Sequence, residues 1–186
     1  EEAGAARGQA AAAAEILART LRVLERGRKS DRNNRLRREL HTSRGVLLVG
    51  SLQAREAEAE FRRALDLTAD AHVRADLVAW IVPSMLERNA YAESLALISE
   101  ARSWLGSNDT FLAAQLAAAE AWAFYDLSRI DEAALAGESA LRMLAAFGQA
   151  SWQRLQATRV MAHGAMASVS RARLDVAAAL RHAQAA

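Results

Sequence analysis

The sequence predicts an all-α protein, a right-handed superhelical array of about nine helices arranged as antiparallel pairs. Three observations carry this. Apolar residues recur at three- and four-residue spacing along most of the chain, the period of a half-buried helix. Alanine, the strongest helix former, supplies much of the 52% hydrophobic fraction. Strict alternation of Val, Ile, Thr and Tyr, which marks strands, is absent from the 186 residues.

Taken in order, the first helix spans 9–26, with Ile16, Leu17, Leu21 and Leu24 on one face and Gly27 closing it. Ser30 or Asp31 can cap a second helix over 32–49, whose inward residues are Leu36, Leu40, Ser43, Leu47 and Leu48. Gly50–Ser51 turns the chain into a third helix over 53–67, with Ala57, Phe61, Ala64 and Leu65 inward. Asp70 caps a fourth, running to about 88 through Val73, Leu77, Val78, Ile81 and Leu86. Pro83, the one proline, lies inside that pattern and predicts a bend near 79–82. Asn89–Ala90 leads to a fifth helix over 91–105, with Leu95, Ile98, Ala101 and Leu105 on its stripe.

The clearest pair covers 108–148. Asn108 or Asp109 caps its first helix, where Phe111, Leu112, Leu116, Ala119 and Ala123 form a stripe. Trp122, Phe124, Tyr125 and Leu127 widen it, which predicts burial on more than one side. After a turn at Ser128–Arg129, acids at Asp131 and Glu132 favour a helix start. Ala133, Ala134, Gly137, Ala140, Leu141 and Leu144 follow inward, and Gly148 supplies a left-handed stop. An eighth helix over 151–169 carries Trp152, Leu155, Val160, Met161, Ala165 and Met166. A ninth over 174–184 carries Val176, Ala179, Leu180 and Ala183.

The second helices share a small residue near the end: Thr20, Ala64, Ala101, Ala140 and Ala183. Their spacing, on the order of 40 residues, is that of helix-hairpin repeats, which bury their faces only by stacking on neighbours. With Gly50, Asn89, Ser128 and Ser170 as turn residues, Leu52, Tyr91 and Ile130 two later, and Ala64–Leu65 and Ala140–Leu141 as late Ala-Leu pairs, the chain resembles tetratricopeptide-type repeats. It lacks that family's early Trp-Leu-Gly, and its repeats are longer. The Ala- and Arg-rich texture is similar to the helical arrays of large ATP-binding LuxR-type transcription regulators of actinobacteria. That resemblance implies a cytoplasmic, non-catalytic sensor or interaction module, with a peptide, a protein or a small effector in its groove and other domains of the parent chain as partners. The alternative is a scaffold unrelated to transcription. The chain has no initiator Met, so it is expected to be a piece of a longer protein.

Chemistry is sparse in the sequence. There is no cysteine, so disulfides and thiolate sites are excluded. No phosphate-binding loop, hydrolase elbow or zinc spacing occurs, and neither cofactor nor metal is expected. No apolar run reaches the roughly 20 residues of a membrane helix. Glu56 and Glu60 share a helix face, read as solvated. The net charge is only +2, but bases crowd from Arg19 to Arg44, with Arg28, Lys29, Arg32, Arg35, Arg37 and Arg38 as a basic face. No aromatic residue interleaves with them for base stacking, so this stretch reads as a solvated terminal face, or one that docks on a neighbouring acidic domain, rather than as a nucleic-acid surface. In the arrays the chain resembles, first helices line the binding groove. That implies a ligand surface made from Trp80, Gln115, Trp122, Tyr125, Arg159 and His163, with core packing as the alternative role for each.

Overall fold

The computed structural model describes residues 2–27, 30–106, 109–148, 150 and 152–186, the first two by backbone alone. Among these residues there are nine α-helices and no strand. They are α1 (Glu2–Glu25), α2 (Asp31–Gly50), α3 (Ala54–Asp66), α4 (Ala71–Glu87), α5 (Tyr91–Trp104), α6 (Thr110–Asp126), α7 (Ile130–Ala145), α8 (Gln153–Ala172) and α9 (Val176–Ala185). The all-α expectation therefore holds. Helix α1 starts seven residues before the predicted 9, because an alanine-rich segment stays helical on propensity alone, without an apolar stripe. Ser30 caps α2 by accepting from the Asn33 N–H, and Asp70 accepts from Val73 N–H at 3.0 Å ahead of α4. The predicted cap at Asn108 and helix start at Ser151 lie outside the described residues.

One device is repeated at four turns. Leu52, Asn89, Ser128 and Leu174 all adopt left-handed backbone, with φ of 61°, 62°, 60° and 59°. At each, the left-handed residue donates its N–H to the carbonyl three residues back, and the next residue donates to the carbonyl five back. The pairs at the first turn are Leu52 to Val49 (3.0 Å) and Gln53 to Leu48 (2.9 Å). This is the Schellman closure, which satisfies carbonyls that a helix end leaves unpaired. It joins α2 to α3, α4 to α5, α6 to α7 and α8 to α9, at intervals of roughly 40 residues. The predicted turn residues Asn89 and Ser128 occupy the left-handed position. Gly50 and Ser170 do not: Gly50 is the last residue of α2, and Ser170 is buried within α8. The search for small residues sets the left-handed position two and four residues early at these turns, because a leucine occupies it.

Counting from that residue gives the repeat its register. The fifth residue onward (Ala57, Ser94, Ala133 and Ala179) is small and buried in every second helix. The twelfth (Ala64, Ala101 and Ala140) is a fully buried alanine in three of them. Ala183 and Thr20, assigned to the same position from sequence, are exposed. The first follows from the misplaced last turn; α1 buries Ala14, Ala18 and Leu21 instead of Thr20.

The chain divides into two compact units, Glu1–Ser84 and Met85–Ala186, the division falling inside α4 just after Pro83. Helix α4 continues through Pro83, which is exposed. In the first unit α1 packs on α2 and α2 on α3. Phe61 lies at its centre, stacked on Trp80 at 5.6 Å between ring centroids. The buried face of α2 carries His41, Gly45 and Leu48, whereas the predicted Leu36 and Ser43 are exposed, as is Ile16 of α1. Gly45 is glycine at a buried position because a Cβ there would stand 2.6 Å from the Phe61 ring, and His41 is buried where it meets a buried acid. Neither adds to an apolar pattern, so the sequence-derived face is rotated.

In the second unit α6 packs on α5, α7 and α8, and it is buried along nearly its whole length as expected. Ala114, Ala117 and Ala118 of α6 meet Ala140 and Leu144 of α7 and Leu155 and Ala162 of α8. Small side chains on facing helices let the axes approach closely. Val160, Trp152, Val176 and Leu180, placed inward from periodicity, are exposed. Trp152 nevertheless packs its ring against Phe111 and Phe147. No helix among the described residues is long and apolar enough to cross a membrane.

Candidate functional site

The six predicted groove residues do not share one unit. Trp80 belongs to the first, where it packs on Phe61; Gln115, Trp122, Tyr125, Arg159 and His163 belong to the second. Trp122 donates its indole N–H to the Met161 carbonyl at 2.9 Å, tying α6 to α8, and meets Tyr125 edge-on. Arg159 donates to the carbonyls of Ala150 (3.0 Å) and Gly148, holding α8 to the loop after α7. Gln115 is buried, and its Oε1 accepts no hydrogen bond. His163 of α8 and His182 of α9 bring their Nδ1 atoms to 3.2 Å, so one ring must donate while the other accepts. Burial first, then His182 and Arg159, hold His163 below the usual histidine pKa. Most of the predicted set therefore makes contacts that hold helices together.

The basic stretch is also divided. Arg28 and Lys29 lie outside the described residues. Arg32 and Arg35 are exposed, Arg35 and Arg38 pair with Glu39, and Arg37 has a buried Nε without a hydrogen-bond partner. Arg19 and Arg22 pair with Glu15. Acids one or two turns away interrupt the positive face, as pairs at helical spacing do.

Sequence reading missed a buried charged centre. Glu60, read as solvated, is 2% exposed. Its Oε2 lies 2.6 Å from His41 Nδ1, and its Oε1 accepts from Arg44 and Arg63, each at 2.5 Å. Burial pushes this carboxyl up. The His41 hydrogen bond and the charges of Arg44, His41 and Arg63 outweigh it and hold the pKa below the ordinary carboxylate value. One turn-face away, Glu58 takes a forked bond from Arg62 and stands 3.2 Å from the Ser84 hydroxyl. Above Glu60 lies a cavity of about 150 Å³, lined by Ala18, Leu21, Arg22 and Glu25 of α1, His41 and Arg44 of α2, and Arg63 of α3. The sequence signal for this centre was a histidine and an arginine three apart on α2; their partner lies on another helix.

A wider cleft of about 280 Å³ opens in the second unit. Arg102 of α5, Glu120 and Phe124 of α6, and Glu132, Leu135, Ala136 and Ser139 of α7 line it. Glu120 is bridged by Arg102 at 2.8 Å, and burial, only partly offset by that arginine, raises its pKa. Arg129 pairs with Glu132 and stacks its guanidinium 4.5 Å from the centre of the Phe124 ring. Leu135 stands at the rim, 67% exposed. An apolar wall beside fixed carboxylates can hold a side chain and orient its polar neighbour.

Among the described residues, no group of three or more His, Asp or Glu could hold a metal ion. No family model, curated protein or solved structure matches the chain.

Proposed function

We propose that the chain is a non-catalytic helical-repeat interaction module that receives a peptide segment in the cleft between α5, α6 and α7. The observation that carries this reading is the cleft itself, in which exposed Leu135 and the Phe124 ring adjoin the Arg102–Glu120 bridge. Phe124, Leu135 and Ala136 form an apolar wall in this cleft, and an apolar patch rimmed by polar groups is what a recognition surface presents. The repeated turns support it, because stacked helix hairpins place such clefts between successive pairs. The wider setting we propose is a cytoplasmic sensor module of a bacterial transcription regulator, resting on the Ala- and Arg-rich tetratricopeptide-like texture. A phosphate-binding loop and a helix-turn-helix in the same reading frame would support that setting; their absence from the whole frame would leave the scaffold reading.

The cleft reading is tested by selecting binders from a peptide library on the purified chain. Selected peptides should bind Val23→Glu, a change on an exposed residue of the other unit, as they bind the parent. They should lose at least about tenfold in affinity on Leu135→Glu. Equal binding to both variants would remove the cleft from the proposal.

A further inference from the structure

The cavity above Glu60 is lined by cations that its carboxylate does not fully use. Arg44 and Arg63 each spend one terminal nitrogen on Glu60 Oε1. A guanidinium carries five N–H donors, so most of their capacity remains. Charge points the same way. Arg22, Arg44 and Arg63 stand against Glu25 and Glu60, which leaves one positive charge in excess. Counting the surface neighbours Arg19 and Glu15, whose carboxylate pairs with both Arg19 and Arg22, does not change that balance. At about 150 Å³ the space is well below the roughly 300–1,000 Å³ of a site for a drug-sized molecule. It accommodates a group of a few heavy atoms.

We infer that this cavity between α1, α2 and α3 is a binding site for a small oxyanion, the carboxylate or phosphate group of a ligand, held by Arg22, Arg44 and Arg63. Glu60 sets the two inner guanidiniums in place, and His41 holds Glu60 from the opposite oxygen. Planar guanidinium forks match the geometry of both oxyanions. Because the three arginines come from three helices, an anion bound there would cross-link the first unit.

The test is titration calorimetry with inorganic phosphate and, in parallel, with acetate. Ionic strength is held constant with chloride, since general screening must not pass for binding. The expected result is saturable binding of one anion per chain; the tighter of the two names the natural group. Arg22→Gln should weaken it about tenfold or more, the loss of a charge-assisted contact. Arg22 is 58% exposed, so the fold does not depend on it. Ala18→Leu keeps every charge but fills the cavity, and it should abolish binding. No saturable binding of either anion, or undiminished binding to Arg22→Gln, would overturn the assignment.

Discussion

Gly45→Ala tests the packing of the first unit sharply, because two effects of opposite sign meet there. Gly45 lies within α2, and replacing an interior helical glycine by alanine ordinarily stabilises by about 1 kcal/mol. Here the new Cβ would stand 2.6, 2.7 and 2.9 Å from three carbons of the Phe61 ring. Ordinary carbon contacts are roughly 3.5–4.0 Å, so the ring must retreat by about 1 Å. Phe61 is wholly buried and stacked on Trp80, so it cannot swing aside as a flexible side chain would. Overpacking of this kind costs about 1–3 kcal/mol, and the upper part of that range applies to a confined ring. The net is a destabilisation of about 1–2 kcal/mol, a fall of several degrees in melting temperature for a chain of this length. Gly8→Ala on α1 is the control: nothing lies near its Cβ, and it should gain stability. Thermal denaturation followed by circular dichroism reads both. If Gly45→Ala melts as high as Gly8→Ala, the close approach of α2 to Phe61 is wrong. Adding Phe61→Leu to Gly45→Ala should recover part of the loss.

Three further outcomes follow from the structure. Leu52→Gly and Leu174→Gly should each raise stability by up to about 1 kcal/mol. These leucines are 74% and 86% exposed and hold a left-handed backbone that costs a non-glycine residue roughly 1–2 kcal/mol; lower denaturation midpoints in both would refute the turn geometry. The depressed Glu60 pKa contributes stability that is complete above its unfolded value of 4.5 and is lost as pH falls through the lower folded value. Glu60→Gln should therefore be less stable at pH 7 by about 1.5–3 kcal/mol, with the gap closing in urea titrations below about pH 4.5; a pH-independent gap would contradict the ion network. His163 is depressed as a base, so the folded state resists its protonation and stability falls as pH drops below 6.5. His163→Gln should flatten that segment of the pH profile, and an unchanged profile would remove His163 from it.

Helix order and the sites of most turns were legible in the sequence, because period and alanine content act locally. The second helices were read best: Ala64, Ala101 and Ala140 fell at one buried register position, as their spacing implied. What escaped was decided by partners distant in sequence. Gly45 is buried for the sake of Phe61, and His41 for the sake of Glu60, so neither contributes to an apolar stripe. The turns at Leu52 and Leu174 place leucine where glycine or asparagine is favoured, so no local preference reveals which residue is left-handed. Candidate sites suffered most. Trp122 and Arg159 have the chemistry of ligand contacts, but their polar groups are spent on backbone carbonyls. The carboxylate of Glu60 looked like surface charge until helices on either side enclosed it.

The central claim, a peptide-binding module acting through the α5–α6–α7 cleft, is tested most directly by hydrogen–deuterium exchange with and without a selected peptide. Binding should slow exchange in the last turn of α5, the C-terminal half of α6 and the first half of α7, around Arg102, Glu120 and Leu135. Glu120→Gln should weaken that protection. Slowed exchange confined to other helices, or no change at saturating peptide, would contradict the account.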